Sequence, residues 1–419
     1  MAKDTAGPLR LLRETHEERV LAVLRTQGAM TRAQLAEQTG LSRATLSSIV
    51  QHLLAGQALT ETGAEEGASR GRGRPVTVLT LNPGGGLAVG MDLQHRAVQV
   101  TVANVAHEIV ASTGIACSER TPWARRIELA SELVESLAAA NSLSLKALAG
   151  VGVGVVGPVP ETGGHPATPE DSPTRAQGKQ SKTHSRAARS RLVHDGLAER
   201  FDVPVYVDNN TRLAALGEAI WGAAAGLQNV LYLRLSYGVG SGLVLGGHLF
   251  SGAGGAAGEL GHVSVDPEWP PCPCGGRGCL ERYVSLGAVL EECGFRQFDE
   301  VLRRLEDGDE AVRSVIARAG ERIGTVLAAA CNTVNPEMVV IGGELAAAGD
   351  VLLDPVRDTV RKHTHSQVRR GLEITPATLG HDDAARGGIA LVLRRSALLA
   401  GYPAAPADPA SGARFHDLG

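Results

Sequence analysis

Apolar positions change their spacing along the chain, and each change marks an element. Between residues 10 and 27, Val20, Leu21 and Leu24 share one face at helical spacing, and Gly28 stops the run. Thr31 followed by Gln34 has the form of a capping box and opens a second, short helix. Gly40 makes a tight turn, and Ser42 caps a third helix whose apolar stripe is Leu46, Ile49, Val50 and Leu53. Its other face carries Ala44, Ser47, Ser48 and Gln51, with Arg43 at the tip. That face is small and hydrogen-bonding, where a helix needing only solvation would carry Glu and Lys. Residues 59–83 read as two strands around a tip that holds Arg70, Arg72 and Arg74.

From about residue 85 the pattern becomes α/β. Residues 87–93, 97–105 and 107–115 are consecutive strand candidates, followed by a helix near 124–141 and a strand ending at Gly157-Pro158. Another strand leads to Asn209, then a helix, then two strands, and a long helix around 309–333 precedes a strand at 337–345. Strands and helices joined by Gly-rich turns imply layered α/β lobes. Residues 159–191 break this order. They are rich in Pro, Ser, Thr and Gly, hold six Lys+Arg and no acid from Arg175 to Arg191, and read as a mobile basic loop. Residues 401–419 read as a disordered tail, which leaves residues 1–80 and 85–400 as the two domains.

Composition narrows the classes. A chain of 419 residues with 43% hydrophobic residues can build two or three cored domains. Net charge −4 excludes a strongly basic coat protein, and 3% aromatics argues against stacking platforms for single strands. No apolar run spans a bilayer and no apolar leader opens the chain, so a cytoplasmic protein without membrane contact is expected. Residues 1–80 carry 10 Lys+Arg against 8 Asp+Glu, whereas the remainder carries 31 against 37. Helix, turn, helix and basic wing in this order match a winged helix-turn-helix. Thr31, Ser42, Arg43, Ala44, Thr45, Ser47, Ser48 and Gln51 are its candidate DNA contacts, with Arg72 and Arg74 reaching phosphates or a minor groove. The competing reading of the segment is a small helical oligomerisation domain.

Cys272, Cys274 and Cys279 lie within eight residues on a Gly-rich stretch. That spacing suits Zn²⁺ better than a disulfide framework, and His262 is the candidate fourth ligand. A site with four protein ligands has no open position, so the zinc would be structural. Cys117, Cys293 and Cys331 read as core cysteines.

Glu259-Leu260-Gly261-His262 resembles the E-x-G-H motif of the ROK family (repressors, open reading frames and kinases), and residues 272–281, CPCGGRGCLE, resemble its C-x-C-G-x-x-G-C-x-E motif at every fixed position. Residues 249–262 and 335–346 resemble the flanking segments. The resemblance covers about residues 85–397. It implies a two-lobed α/β domain of the actin-like, sugar-kinase (ribonuclease H-like) type with ligand in the cleft between lobes, here preceded by a winged helix-turn-helix. It also implies a homodimer or homotetramer. By resemblance, Asn209, Glu259, His262 and Glu281 bind sugar hydroxyls, and His262 gives one ring nitrogen to zinc and the other to the sugar.

The kinases of the family carry an Asp base where this chain has Asn210, and D-x-G-G-T where it reads Asp92-Leu93-Gln94-His95-Arg96. An amide cannot take the proton, although Asn210 can still bond the same hydroxyl. Both cradle glycines are gone. A second loop, Ser236–Gly242, keeps Gly238, Gly240 and Gly242 but begins with Ser and Tyr. The expected function is therefore a transcriptional regulator that binds an inverted-repeat operator, responds to a sugar or sugar phosphate and has lost kinase activity. Lys179, Lys182, Arg186 and Arg189 are the side chains offered to such a phosphate. The alternative is an ATP- or polyphosphate-dependent sugar kinase with a DNA-binding extension.

Overall fold

The structure, a computed structural model, describes residues 8–56, 58–63, 77–82, 85–157, 159, 181–266, 268 and 270–395. At the N-terminal end, α1 (Pro8–Gln27) buries Val20, Leu21 and Leu24 and ends where the Gly28 N–H bonds to the Leu24 carbonyl. A two-residue strand, β1 (Met30–Thr31), precedes α2 (Arg32–Thr39) and α3 (Arg43–Ala55). The capping box forms as spaced: the Gln34 N–H donates to Thr31 Oγ1 (3.3 Å), and the Thr31 N–H donates to Gln34 Oε1 (3.0 Å). The Thr45 N–H donates to Ser42 Oγ (3.1 Å) at the start of α3. Strands β2 (Leu59–Gly63) and β3 (Thr77–Leu81) pair antiparallel, and the sheet order is β1-β3-β2. Alternation could not reveal β1, which is two residues long and exists only by pairing Met30 with the distant Leu79. Residues 64–76, with Arg70, Arg72 and Arg74, lie outside the described residues.

The described residues form two compact units. The first runs to Val153 and also takes Arg189–Val207 and the chain from Gly388 onward; the second takes Gly154–Ala188 and Asp208–Gly387. In the first, β4 (Leu87–Leu93), β5 (Ala97–Ala103) and β6 (Ile109–Ala116) make an antiparallel meander. The five-stranded sheet continues through β7 (Leu148–Val155) and β8 (Val205–Asn209), in the order β6-β5-β4-β7-β8. Every residue of β4 is buried, which is why it reads as a continuous apolar run around Asp92. Helix α4 (Trp123–Ala140) buries Ile127, Ala130, Val134 and Leu137.

The basic segment 159–191 is not a loop throughout. Residues from Ser181 onward belong to α5 (Ser181–Phe201), whose Val193 and Leu197 are fully buried one turn apart. Those two apolar anchors lie beyond the polar run, so they hold a helix whose first turns look like linker by composition alone. Residues 160–180 and 401–419 lie outside the described residues.

In the second unit, β9 (Val230–Leu235), β10 (Val239–Leu245) and β11 (His248–Phe250) are antiparallel, while β12 (Met338–Gly342) runs parallel to β9 and to β13 (Glu373–Pro376). The helices of this part are α6 (Asn210–Trp221), α7 (Glu281–Val284), α8 (Leu286–Cys293), α9 (Phe298–Glu306), α10 (Glu310–Val334), α11 (Asp350–His363) and α12 (Asp383–Arg395), the last continuing into the first unit. Leu231, Leu233, Val339 and Ile341 of the sheet pack in one core with Ile316, Ile323, Leu327, Leu352 and Val356 of α10 and α11. Glu218 of α6 is fully buried, and its carboxylate accepts the backbone N–H groups of Ala223 (2.7 Å), Thr378 (2.9 Å) and Leu379 (2.8 Å). Among the described residues, no helix is long and apolar enough to cross a membrane.

Truncating a buried leucine costs about 2–5 kcal/mol. Leu197→Ala is therefore expected to lower stability by that order in denaturant unfolding. A variant as stable as the parent would contradict the packing of α5.

Candidate functional site

The sequence CPCGGRGC folds back on itself as a small knuckle. The Cys272 N–H bonds to the Gly276 carbonyl (2.9 Å), and the Gly275 N–H bonds to the Cys272 carbonyl (3.0 Å). Isolated bridges pair Pro271 with Arg277 and Ser264 with Cys279. Gly278 sits at φ +62°, and a Cβ there would lie 1.5 Å from the Asp266 carbonyl oxygen, so only glycine fits. The chain thereby returns Cys279 to the segment after His262. A short 3₁₀ turn, Leu260–His262, presents the imidazole, and a Cβ at Gly261 would lie 2.0 Å from the Val239 carbonyl oxygen. This close approach seats the turn against β10.

His262, Cys272, Cys274 and Cys279 bring their ligand atoms within 4.8 Å of one another. Cys274 Sγ and Cys279 Sγ are 3.6 Å apart, and Cys272 Sγ is 3.7 Å from His262 Nδ1. Sulfurs on one tetrahedral Zn²⁺ would stand about 3.8 Å apart, so these edges fit a tetrahedral ion. The chemistry of the donors agrees. Burial pushes the Cys279 thiol up to about 12 and raises Cys272, while the Gly276 N–H lowers Cys274. Three neighbouring sulfurs cannot all be charged without a cation among them. When bound, the ion would cross-link the knuckle and hold the His262 ring. Nδ1 faces the sulfurs, and Nε2 lies 3.8 Å from Glu259 Oε2, so the ring is turned with one nitrogen to each side.

Glu281, the first residue of α7, is engaged: its Oε2 accepts the Val239 N–H at 2.8 Å. Asn209 caps α6, its Oδ1 accepting from the Thr211 (2.9 Å) and Arg212 (3.1 Å) N–H groups, while its Nδ2 donates to the Gly157 carbonyl (2.8 Å). Asn210 is buried in the first turn of α6. The β9–β10 hairpin links these parts. It meets Glu281 at Val239, and a Cβ at Gly240 would lie 2.8 Å from Thr211 Oγ1. Thus Asn209, Asn210, Glu259, His262 and Glu281 all belong to the second unit.

Two buried arginines escaped the sequence reading. Arg212 pairs with Asp208 and donates to the carbonyls of Gly255 (2.6 Å) and Val159 (3.1 Å). In the first unit, Arg126 is 2% exposed. Its guanidinium donates to the carbonyls of Gln94, His95 (2.7 Å), Ser118 (2.9 Å) and Thr121 (3.1 Å). The β4–β5 turn is thus stapled from beneath, and Gln94 Nε2 donates to Asp92 Oδ2 (2.8 Å) while the Gln94 N–H bonds to the Ala97 carbonyl (3.0 Å). Arg189 lies over the Trp123 ring, 5.0 Å from its centroid, and Lys182 and Arg186 fall on α5; Lys179 lies outside the described residues. Of the cysteines expected in the core, Cys331 is fully buried, but Cys117 and Cys293 are only half-buried, and Cys117 Sγ is 3.1 Å from Arg126 Nη1.

On α3, Leu46, Ile49, Val50 and Leu53 are buried, while Arg43, Ala44, Ser47, Ser48 and Gln51 are exposed. Thr45 is half-buried, with Oγ1 2.8 Å from Ser42 Oγ, so the hydroxyls of Thr31, Ser42 and Thr45 sit at helix N-termini.

Mixed five-stranded sheets layered with helices, the second unit bearing a Cys/His knuckle, define a protein of the sugar-kinase-like fold. The ROK family model matches residues 88–395, and the chain belongs to the ROK family. The xylose repressor of Bacillus subtilis is 26% identical over 386 residues, covering 91% of this chain and 96% of the repressor. The DNA-binding transcriptional dual regulator NagC of Escherichia coli is 26% identical over 406 residues, covering 93% and 94%. In fold, the chain is similar to a crystal structure of a ROK family transcriptional regulator homologous to the E. coli MLC protein, with TM-score 0.71 and 24% identity over 93% of this chain and 97% of that one. A match over 91% of the chain is longer than residues 88–395 and all that follow them together, so it reaches into the N-terminal helices.

The donor set predicts about one Zn²⁺ per chain in freshly purified protein. Cys274→Ser should lower the metal content and destabilise the second unit. Elemental analysis that finds no zinc would refute the assignment.

Proposed function

We propose that the chain is a DNA-binding transcriptional regulator of the ROK family that responds to a sugar or sugar-derived effector and transfers no phosphate. The observation that carries this reading is α3, which buries one apolar stripe and leaves Arg43, Ala44, Ser47, Ser48 and Gln51 exposed on the other side. With α2, the Gly40 turn and the β2–β3 hairpin, it forms a winged helix-turn-helix whose third helix enters the major groove. The full-length similarity to a repressor and to a DNA-binding regulator supports the same reading. A homodimer or homotetramer would place two such helices on the half-sites of an inverted repeat.

The effector site is the group Asn209, Asn210, Glu259, His262 and Glu281. His262 would hold a structural Zn²⁺ through Nδ1, which would leave Nε2 to carry the proton and donate to a sugar hydroxyl while Glu259 accepts. Effector binding shifts the equilibrium between protein conformations of different operator affinity.

Two features oppose phosphoryl transfer. Asn210 stands where a base is required. The β4–β5 turn presents Gln94 and His95, and Arg126 fixes its carbonyls. We expect no phosphorylation of common hexoses or pentoses above background in a coupled assay with ATP or polyphosphate. Measurable turnover would instead favour a kinase with a DNA-binding extension.

The DNA reading is tested by gel-shift titration on operator and scrambled duplexes at two salt concentrations. An Arg paired bidentately with guanine discriminates by roughly 1–3 kcal/mol. Arg43→Ala should weaken operator binding far more than random-duplex binding, and Arg72→Ala should weaken both alike with a smaller salt slope. An unchanged operator preference in Arg43→Ala would remove α3 as the reader.

A further inference from the structure

We propose that Cys274 and Cys279 form a peroxide-sensitive pair, whose closure to a disulfide dismantles the knuckle and releases its metal. The inference rests on the metal assignment above and adds a modification site to it.

The sulfurs are not equivalent. Cys274 is exposed, whereas Cys272 and Cys279 are 7% and 1% exposed. An oxidant from solvent therefore meets Cys274 first. The nearest resolving sulfur is already in place, with Cys279 Sγ 3.6 Å away. A disulfide needs about 2.05 Å, so the sulfurs must approach by about 1.5 Å. The linking chain can supply that movement. Gly275 and Gly276 follow Cys274 directly and are exposed, and a Cβ at Gly275 would meet nothing within 4 Å. Above the pair lies Gly276, exposed and without a side chain. A Cβ there would stand 3.4 Å from both Cys274 Sγ and Cys279 Sγ. A methyl group there would stand against both sulfurs, and its absence leaves Cys274 exposed to solvent.

The chemistry balances in two displacements. The Cys274 thiolate attacks one peroxide oxygen; the O–O bond breaks, hydroxide leaves, and a sulfenic acid remains on Cys274. The Cys279 thiolate then attacks that sulfur, forming the S–S bond and expelling a second hydroxide. The two thiolates lose two electrons, and hydrogen peroxide is reduced to two waters after protonation. Cys272 and His262 alone are too few to hold a tetrahedral ion. His262 then loses the partner that fixes its ring.

The test uses the full chain with its metal content measured first. Hydrogen peroxide is added in the presence of a chromogenic zinc chelator, and peptide mapping by mass spectrometry follows. The expected result is metal release in step with a Cys274–Cys279 disulfide, reversed by a thiol reductant plus zinc. Gly276→Ala, which needs no positive φ, should keep its metal stoichiometry and release it several-fold more slowly. Retention of metal under peroxide, a disulfide between other cysteines, or an equal rate in Gly276→Ala would overturn the proposal. If the purified protein holds no zinc, the metal assignment fails separately, and absence of a Cys274–Cys279 disulfide on mapping then overturns this proposal as well.

Discussion

Three sulfurs and one imidazole nitrogen must share a space 4.8 Å across, and the architecture around residues 258–281 follows from that demand. Unpaired thiolates so close together repel, and buried neutral thiols leave the loop without a core. A cation among them would remove both problems and tie a glycine-rich knuckle that otherwise has few side chains to pack. The glycines are then explained individually. Gly278 turns the chain where the Asp266 carbonyl would meet any side chain, and Gly261 lets the His262 turn lie on Val239. Because Nδ1 faces the sulfurs, the opposite nitrogen is directed at Glu259, and a structural element becomes the positioning device of a candidate effector site.

The same economy runs through the neighbouring polar groups. Glu281 bonds the backbone of the β9–β10 hairpin, and Asn209 both caps α6 and holds Gly157. Residues that resemble sugar ligands are thus also structural members of the unit. An effector that competes for their hydrogen bonds would act on the hairpin and on the start of α6 at once. This gives binding energy a route into backbone conformation, as a regulator requires. In the first unit, Arg126 gives the β4–β5 turn a rigid underside. Restoring glycines at Gln94 and His95 would leave that arginine still bound to their carbonyls.

Local features were legible in the sequence, and long-range pairings were not. The capping box at Thr31, the cap at Ser42 and the stripe of α3 depend on residues three or four apart, so spacing reveals them. The cysteine cluster is legible for the same reason, and His262 is only ten residues away. Strand β1 depends on Leu79, the carbonyl ligands of Arg126 include positions 94 and 95, and the Arg212 bonds reach Val159 and Gly255. No periodicity marks such partners. The first turns of α5 read as a mobile basic loop because their composition is polar, and the buried Val193 and Leu197 that hold the helix lie beyond that run. The motif residues of Glu281 and Asn209 were visible, but not their engagement with Val239 and Gly157.

The orientation of His262, and with it the candidate effector site, depends on a metal bound through the nitrogen that faces the sulfurs. X-ray absorption at the zinc edge of the purified protein measures that shell directly. It should show three sulfurs at about 2.3 Å and one imidazole nitrogen at about 2.0–2.1 Å. A shell of oxygens, or of sulfurs without imidazole scattering, would contradict it and leave the orientation of His262 without a cause.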